Sequence, residues 1–197
     1  MSARLPLFVD LAGRRVLVVG GGRAAERKLS SLLDAGAVVT LIAPKVLESV
    51  RRQMHASPLS QLLRRRARVQ DVTSDYVLFF PLSDDSALNQ RLSVAARAAK
   101  VWVAGSTSPD GADFHLGAVV DRGPVRLAIS TGGAAPALAS LLAEILRQLL
   151  PETLDGDTTV LRLERQRFRA GVGTPARRRA LLTQAVQVLE NRPAESN

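Results

Sequence analysis

The chain predicts an α/β fold built on a parallel sheet wound with helices on both faces. Three observations carry that expectation. Short β-branched stretches alternate with helical ones through the first hundred or so residues, which is the pattern of βαβ units. The run YVLFF at 76–80 is continuously apolar rather than alternating, as suits a strand buried on both faces. A glycine-rich turn stands between the first strand and the first helix.

Taken in order, the first strand is RVLVV at 15–19, ending at the glycines. A helix follows over 24–35, with Ala25, Leu29, Leu32 and Leu33 on one face and Gly36 as its C-terminal cap. VVTLIA at 38–43 is the second strand, stopped by Pro44. Residues 47–65 read as helical with a break near Ser57-Pro58, and 67–72 as a third strand. After the strand at 76–80, a helix over 86–99 starts from a cap supplied by Ser83, Asp84 or Asp85, and 101–104 is the next strand. The pattern then changes. Residues 114–121 and 125–130 read as two strands about a turn at 121–124, and 136–150 as an amphipathic helix with Pro136 in its first turn. From 152 onward the chain is more polar and Arg-rich, with helical stretches at 159–169 and 175–190 and a frayed tail from 191.

Composition narrows the function classes. A length of 197 residues with 46% hydrophobic content suffices for one core plus an appendage. Aromatic residues make up only 4%, so that core is built from Leu, Val, Ala and Ile. The absence of cysteine excludes disulfides, thiolate zinc sites, cysteine-ligated iron–sulfur clusters and cysteine nucleophiles. The two histidines, His55 and His115, stand far apart, and no protein metal site is expected. No apolar run approaches the ~18 residues of a membrane span, and the opening MSARLPLFVDL lacks the apolar core of a signal peptide. A cytoplasmic protein without a membrane partner is the expectation.

The net charge is +9, nearly all of it from arginine; the lysines are Lys28, Lys45 and Lys100. Such a balance favours polyanions: nucleic acid, phosphates or a polycarboxylate ligand. The planar guanidinium fork binds carboxylate and phosphate bidentately. Nucleic acid is the weakest of these, since no aromatic-rich basic motif accompanies the charge. For the clusters at 64–66 and 177–179, an ordinary solvated surface is the competing reading.

The turn itself reads VLVVGGGRAA at 16–25, and Gly20, Gly22 and Ala25 fit G-x-G-x-x-A in the strand-to-helix context that the pattern requires. Gly20 permits the tight turn, Gly22 lets a pyrophosphate approach the backbone, and Ala25 allows close helix–strand contact. The helix N-terminus then turns its unpaired N–H groups toward the phosphates. In this position the pattern is read as dinucleotide-binding, of Rossmann type, in preference to a merely structural turn. The acidic residue usually found about 20 positions on is absent; Ala43-Pro44-Lys45 stands there instead. Lys45 could favour a 2′-phosphate or simply sit in solvent, so the pattern leaves NAD against NADP open.

These residues resemble a known family. The stretch at 5–44, SDDSALNQRL at 83–92 and LAISTGGAAPALASLLAEIL at 127–146 are similar, in order, to precorrin-2 dehydrogenases, the N-terminal module of siroheme synthases. The resemblance implies a Rossmann domain at 1–113, a small dimerisation region at 114–150 and a helical domain at 151–197, assembled as a homodimer. It implies NAD-dependent oxidation of precorrin-2 to sirohydrochlorin, a tetrapyrrole carrying many carboxylates, and in some members insertion of ferrous iron. Gly20, Gly21, Gly22, Arg23 and Ala24 would cradle the cofactor phosphates, with Ala43, Pro44 and Lys45 at the adenosine end. Ser83 and Asp84 match the family's Thr-Asp at the cofactor cleft, and Ser130, Thr131 and Gly132 would contact substrate. Because the family also lacks the ribose acid, NAD is the expected cofactor.

The chain departs from the family at the residues that carry chemistry. The family's general-base Asp falls on Thr107, which cannot take a proton near neutral pH, and its Asn falls on Ala104. Its Pro falls on Gly117, and its Ala-Ala before Ser83 becomes Pro81-Leu82, which would narrow the cleft. Asp110 or Asp113 could replace the acid, or His115 could take the proton, since imidazole ordinarily titrates near neutrality. Each also has a plain structural reading, as a turn residue, an arginine partner or a satisfied histidine. Hydride transfer rests chiefly on positioning, so the expected activity is dehydrogenation with weak or absent iron insertion. The alternative is a degenerate homologue that binds tetrapyrrole or nucleotide without turnover.

Overall fold

A computed structural model describes residues 5–105 and 111–151, together with six helical positions between 162 and 183. The helices expected at 159–169 and 175–190 and the tail from 191 otherwise lie outside the described residues. The chain divides into two compact units, Met1–Leu116 and Gly117–Asn197.

In the first unit, β1 (Arg15–Val19), β2 (Val38–Ile42), β3 (Gln61–Leu63), β4 (Tyr76–Pro81) and β5 (Trp102–Val103) form one parallel sheet. Its order is β3-β2-β1-β4-β5. Helices α1 (Arg23–Asp34), α2 (Glu48–His55) and α3 (Ser86–Ala98) cover it. Alternation along the strands divides the core between the two faces. Val16, Val18, Val39, Leu41 and Phe80 pack with Ala25, Leu29 and Leu32 of α1 and with Val50 and Met54 of α2. Leu17, Val19, Ile42 and Phe79 pack with Leu92 and Ala96 of α3. The doubly wound α/β fold expected from the sequence is therefore the fold found. Because α1 and α3 leave β1 and β4 toward opposite faces, the strand order reverses between them. A crevice opens there at the carboxyl ends of the strands.

Three local expectations are corrected. The third strand is Gln61–Leu63, not 67–72, and α2 ends at His55 rather than continuing to 65. Past the Ser57-Pro58 break, the Ser60 hydroxyl accepts the N–H of Val39 at 3.0 Å, which brings the chain alongside β2. Residues Val69–Asp71 instead make one 3-10 turn, in which Asp71 accepts the N–H of Arg68. The alternation of RARVQDV imitates a strand, but only Ala67 is buried there. The strand expected from Phe114 begins at Ala118, because Phe114 makes an isolated bridge to Ala104 instead.

Helices α1 and α3 end in the same way. In α1, Gly36 N–H bonds to Leu33 O and Ala37 N–H to Leu32 O, with Gly36 at φ +76°. In α3, Lys100 N–H bonds to Arg97 O and Val101 N–H to Ala96 O, with Lys100 at φ +61°. Both are Schellman caps, but the second puts a side chain where glycine is favoured.

The second unit contains β6 (Ala118–Arg122) and β7 (Val125–Ile129), an antiparallel pair, and α4 (Pro136–Leu149). Helix α4 packs on β6, and Val120 of β6 and Ala139 and Ala143 of α4 are buried. The Arg147 guanidinium donates to Val119 O at 2.8 Å and holds α4 on the hairpin. Leu138, Leu141, Leu142, Ile145 and Leu149 recur at helical spacing and are exposed.

Candidate dinucleotide site

The glycine turn is shaped by contacts that side chains would forbid. Gly20 lies at φ +118°, and a Cβ there would stand 2.3 Å from Leu82 O. Gly20 N–H bonds to Ile42 O and Leu82 N–H to Val19 O, so the turn is clamped between β2 and the end of β4. A Cβ on Gly21 would meet Lys45 O at 2.6 Å, while Gly21 O accepts the N–H of Leu47. Gly22 differs. It is the N-cap of α1 in an extended conformation, φ −89° and ψ −166°, with nothing within 4 Å of a built Cβ. No side chain caps α1, and its first intrahelical bond is Glu26 N–H to Gly22 O. The N–H groups of Arg23, Ala24 and Ala25 precede that bond, as the orphan donors of a helix start do. Open space over glycine and free donors at a helix N-terminus are what a pyrophosphate requires.

A cleft of about 610 Å³ opens here, within the range of small-ligand sites. Gly20, Gly21, Gly22, Ala43, Pro44, Lys45, Ser83 and Asp84 all line it. Arg23 and Ala24 sit in the first turn of α1 behind the lining. Leu82 is on the wall, and the cleft is open despite the Pro81-Leu82 replacement. The Ser83 hydroxyl donates to Asn89 Oδ1 at 2.7 Å, and Asn89 Nδ2 returns a bond to Ser83 O. Asp85 caps α3 by accepting the N–H of Leu88 at 2.9 Å. Of the three candidate caps, Asp85 is the one used.

Two residues at the cleft were not expected from the sequence: Asn89, which positions Ser83, and Arg66, which lines the cleft from beyond β3. The signal for Arg66 was its cluster, but 64–66 looked uniform. It is not: Arg65 donates to both oxygens of Asp71 at 2.7 and 2.6 Å. The Arg65 guanidinium, helped by the Arg68 N–H, holds the Asp71 carboxyl below its usual range against the opposing effect of burial.

At the end of β5, the His115 ring sits against Gly105. A Cβ on Gly105 would be 2.3 Å from Cε1 and 2.5 Å from Nδ1 of the imidazole. Asp113 is committed elsewhere, accepting Val103 N–H at 2.8 Å and pairing with Arg97 at 3.5 Å. Thr107 and Asp110 lie outside the described residues. Ala104 is buried and bridged to Phe114. In the second unit, Ser130 Oγ accepts Gly132 N–H and Thr131 Oγ1 accepts Ala135 N–H, which shapes the loop before α4. Among the described residues, no group of three or more His, Asp or Glu could hold a metal, and no helix is long and apolar enough to cross a membrane.

Comparison with known proteins accords with this geometry. A family model described as "Putative NAD(P)-binding" matches residues 7–118. The chain belongs to this family. It is 34% identical over 185 residues to a siroheme synthase of Nitrosospira multiformis, covering 93% of this chain and 39% of that protein. A siroheme synthase of Tolumonas auensis is 38% identical over 155 residues, 76% of this chain and 31% of its own length. The chain thus spans only 31–39% of the length of these curated relatives. Among solved structures, SirC, a precorrin-2 dehydrogenase, superposes with a TM-score of 0.70 at 28% identity, covering 92% of this chain and 88% of that one. The resemblance read from the glycine turn and the two later motifs is the one these relatives carry.

Proposed function

We propose that the protein oxidises precorrin-2 to sirohydrochlorin with NAD, in the cytoplasm, as a step of siroheme biosynthesis. The observation that carries this reading is the cleft at the β1–β4 switch point, with open space over Gly22 and an uncapped α1 N-terminus, in a chain related to siroheme synthases and to SirC. Gly20, Gly21 and Gly22 bring the backbone close to the pyrophosphate, and the α1 N–H groups receive its charge. Ser83, held by Asn89, and Asp84 line the cleft and are assigned to its reacting side. When bound, the nicotinamide supplies the hydride acceptor.

Dehydrogenation also releases a proton from the substrate. His115 is the group assigned to accept it, since Asp113 is engaged with Val103 and Arg97. Thr107 and Asp110, which lie outside the described residues, remain part of the assigned site. Ser130, Thr131 and Gly132 are assigned to the substrate, whose carboxylates the arginine-rich chain attracts. The exposed Leu138, Leu141, Leu142, Ile145 and Leu149 of α4 are assigned to a homodimer interface.

Iron insertion must take up pyrrole protons, and Thr107 in place of the family acid leaves it weak or absent. Steady-state NADH formation with precorrin-2, in wild type and His115→Ala, tests the assignment. Loss of about tenfold or more in kcat with little change in KM supports His115, in line with the usual worth of a general base. Full retention of kcat across pH rejects it. Iron insertion well above a no-protein control rejects the chelatase part.

A further inference from the structure

We propose that Lys45 and Arg66 form a phosphate-binding edge at the adenosine end of the cleft, so that the site admits NADP alongside NAD and at least as tightly. The inference rests on the reading of the cleft as a dinucleotide site and extends it to the choice of nucleotide.

In a sheet of this order the adenosine ribose lies just past β2, where a carboxylate normally accepts from its hydroxyls. That carboxylate does two things: it binds an unmodified ribose, and it repels a ribose 2′-phosphate. Here β2 gives way to Ala43-Pro44-Lys45, and both effects are absent; that absence permits either nucleotide, so the choice rests on the cations beside it. The acids on the cleft wall, Asp84 and Asp85, follow β4, which lies on the other side of β1 from β2. Asp85 is already the α3 cap.

The wall past β3 adds a second cation. Arg66 lines the cleft, and its backbone is fixed from both sides. Ala67, the next residue, is buried in the core. Arg65, the preceding one, donates to Arg66 O at 3.1 Å and is locked to Asp71 by two short hydrogen bonds. Asp71 is thereby spent on Arg65, and among the described residues neither Lys45 nor Arg66 has a carboxylate within ion-pair distance. Two such cations on one wall, with the acids on the far side, favour a dianion between them. A guanidinium fork suits phosphate, and the lysine adds a second point charge.

The test is calorimetric titration of NAD and of NADP into the purified full chain and three variants. In wild type, NADP binds with a Kd equal to or below that of NAD. Arg66→Ala and Lys45→Ala each weaken NADP by roughly tenfold, the loss expected for a charge-assisted hydrogen bond, and NAD by much less. Arg64→Ala, an exposed neighbour off the cleft wall, leaves the ratio of the two unchanged. NADP affinity also falls more steeply with salt than NAD affinity. NAD binding with NADP tenfold weaker overturns this inference and leaves the dinucleotide reading standing, as does an Arg66→Ala variant that loses both equally. Binding of neither nucleotide overturns both.

Discussion

Gly22→Ala separates the fold from the site. Gly22 holds φ −89° and ψ −166°, an extended conformation that alanine adopts without strain. A built Cβ meets nothing within 4 Å. The folded protein therefore tolerates the methyl, at a cost of about 0.5 kcal/mol for a poorer N-cap residue. The same methyl occupies the space through which a pyrophosphate oxygen must approach the backbone. A carbon wedged there displaces the phosphate from the α1 N–H groups, and loss of one charge-assisted bond is about 1.5–3 kcal/mol. NAD affinity is expected to fall at least tenfold, about 1.4 kcal/mol, while the thermal midpoint moves by only ~1–2 °C. Gly20→Ala should behave in the opposite sense. Its Cβ would lie 2.3 Å from Leu82 O at φ +118°, so the ends of two central strands must part. Combined backbone strain and overpacking of about 3 kcal/mol would lower the midpoint by roughly 6–12 °C. Calorimetric NAD binding and thermal unfolding on both variants check the pair. Wild-type NAD affinity in Gly22→Ala would refute the assignment of that open space to the cofactor.

Three further outcomes follow from the same geometry. Lys100→Gly removes a side chain from a left-handed Schellman position and should stabilise by about 1 kcal/mol in urea unfolding. Asp71 titrates below its usual range through the hydrogen bond from Arg65, so its contribution is present above the unfolded-state pKa and is lost as pH falls through the lower folded-state value. Asp71→Asn should therefore lower the midpoint at neutral pH, and the gap to wild type should close only at pH below the ordinary aspartate range. Leu141→Glu places a charge in the exposed apolar row of α4; sedimentation should show monomer in place of dimer, with the hairpin–helix unit still folded.

Much of this molecule is legible from its residues, for physical reasons that can be named. The strands β1, β2 and β4 are buried on both faces, so their apolar runs had no other reading. The glycine turn was legible because close approach leaves no room for a side chain. At β3 the reading failed. An edge strand of three residues carries little apolar signal, and the polar alternation of 67–72 was stronger than that of the true strand. Arg66 was hidden for a different reason. Its role depends on Arg65 being taken by Asp71, a pairing six residues apart that spacing does not announce. Asp113 looked like a catalytic candidate in a loop of carboxylates, and only its bonds to Val103 and Arg97 show that it is structural. His115 stood out as one of two histidines, but the open surface of Gly105 that seats its ring lies ten residues earlier.

In the proposed reaction this cleft couples a bound dinucleotide to oxidation of a tetrapyrrole. Anaerobic single-turnover mixing of the full chain with NAD and precorrin-2 tests it most directly. NADH and sirohydrochlorin should appear together in equal amounts, at a rate that falls in Gly22→Ala. Tight binding of NAD and precorrin-2 with no NADH formed at high protein concentration would contradict it, and would identify the protein as a binding homologue that has lost the reaction.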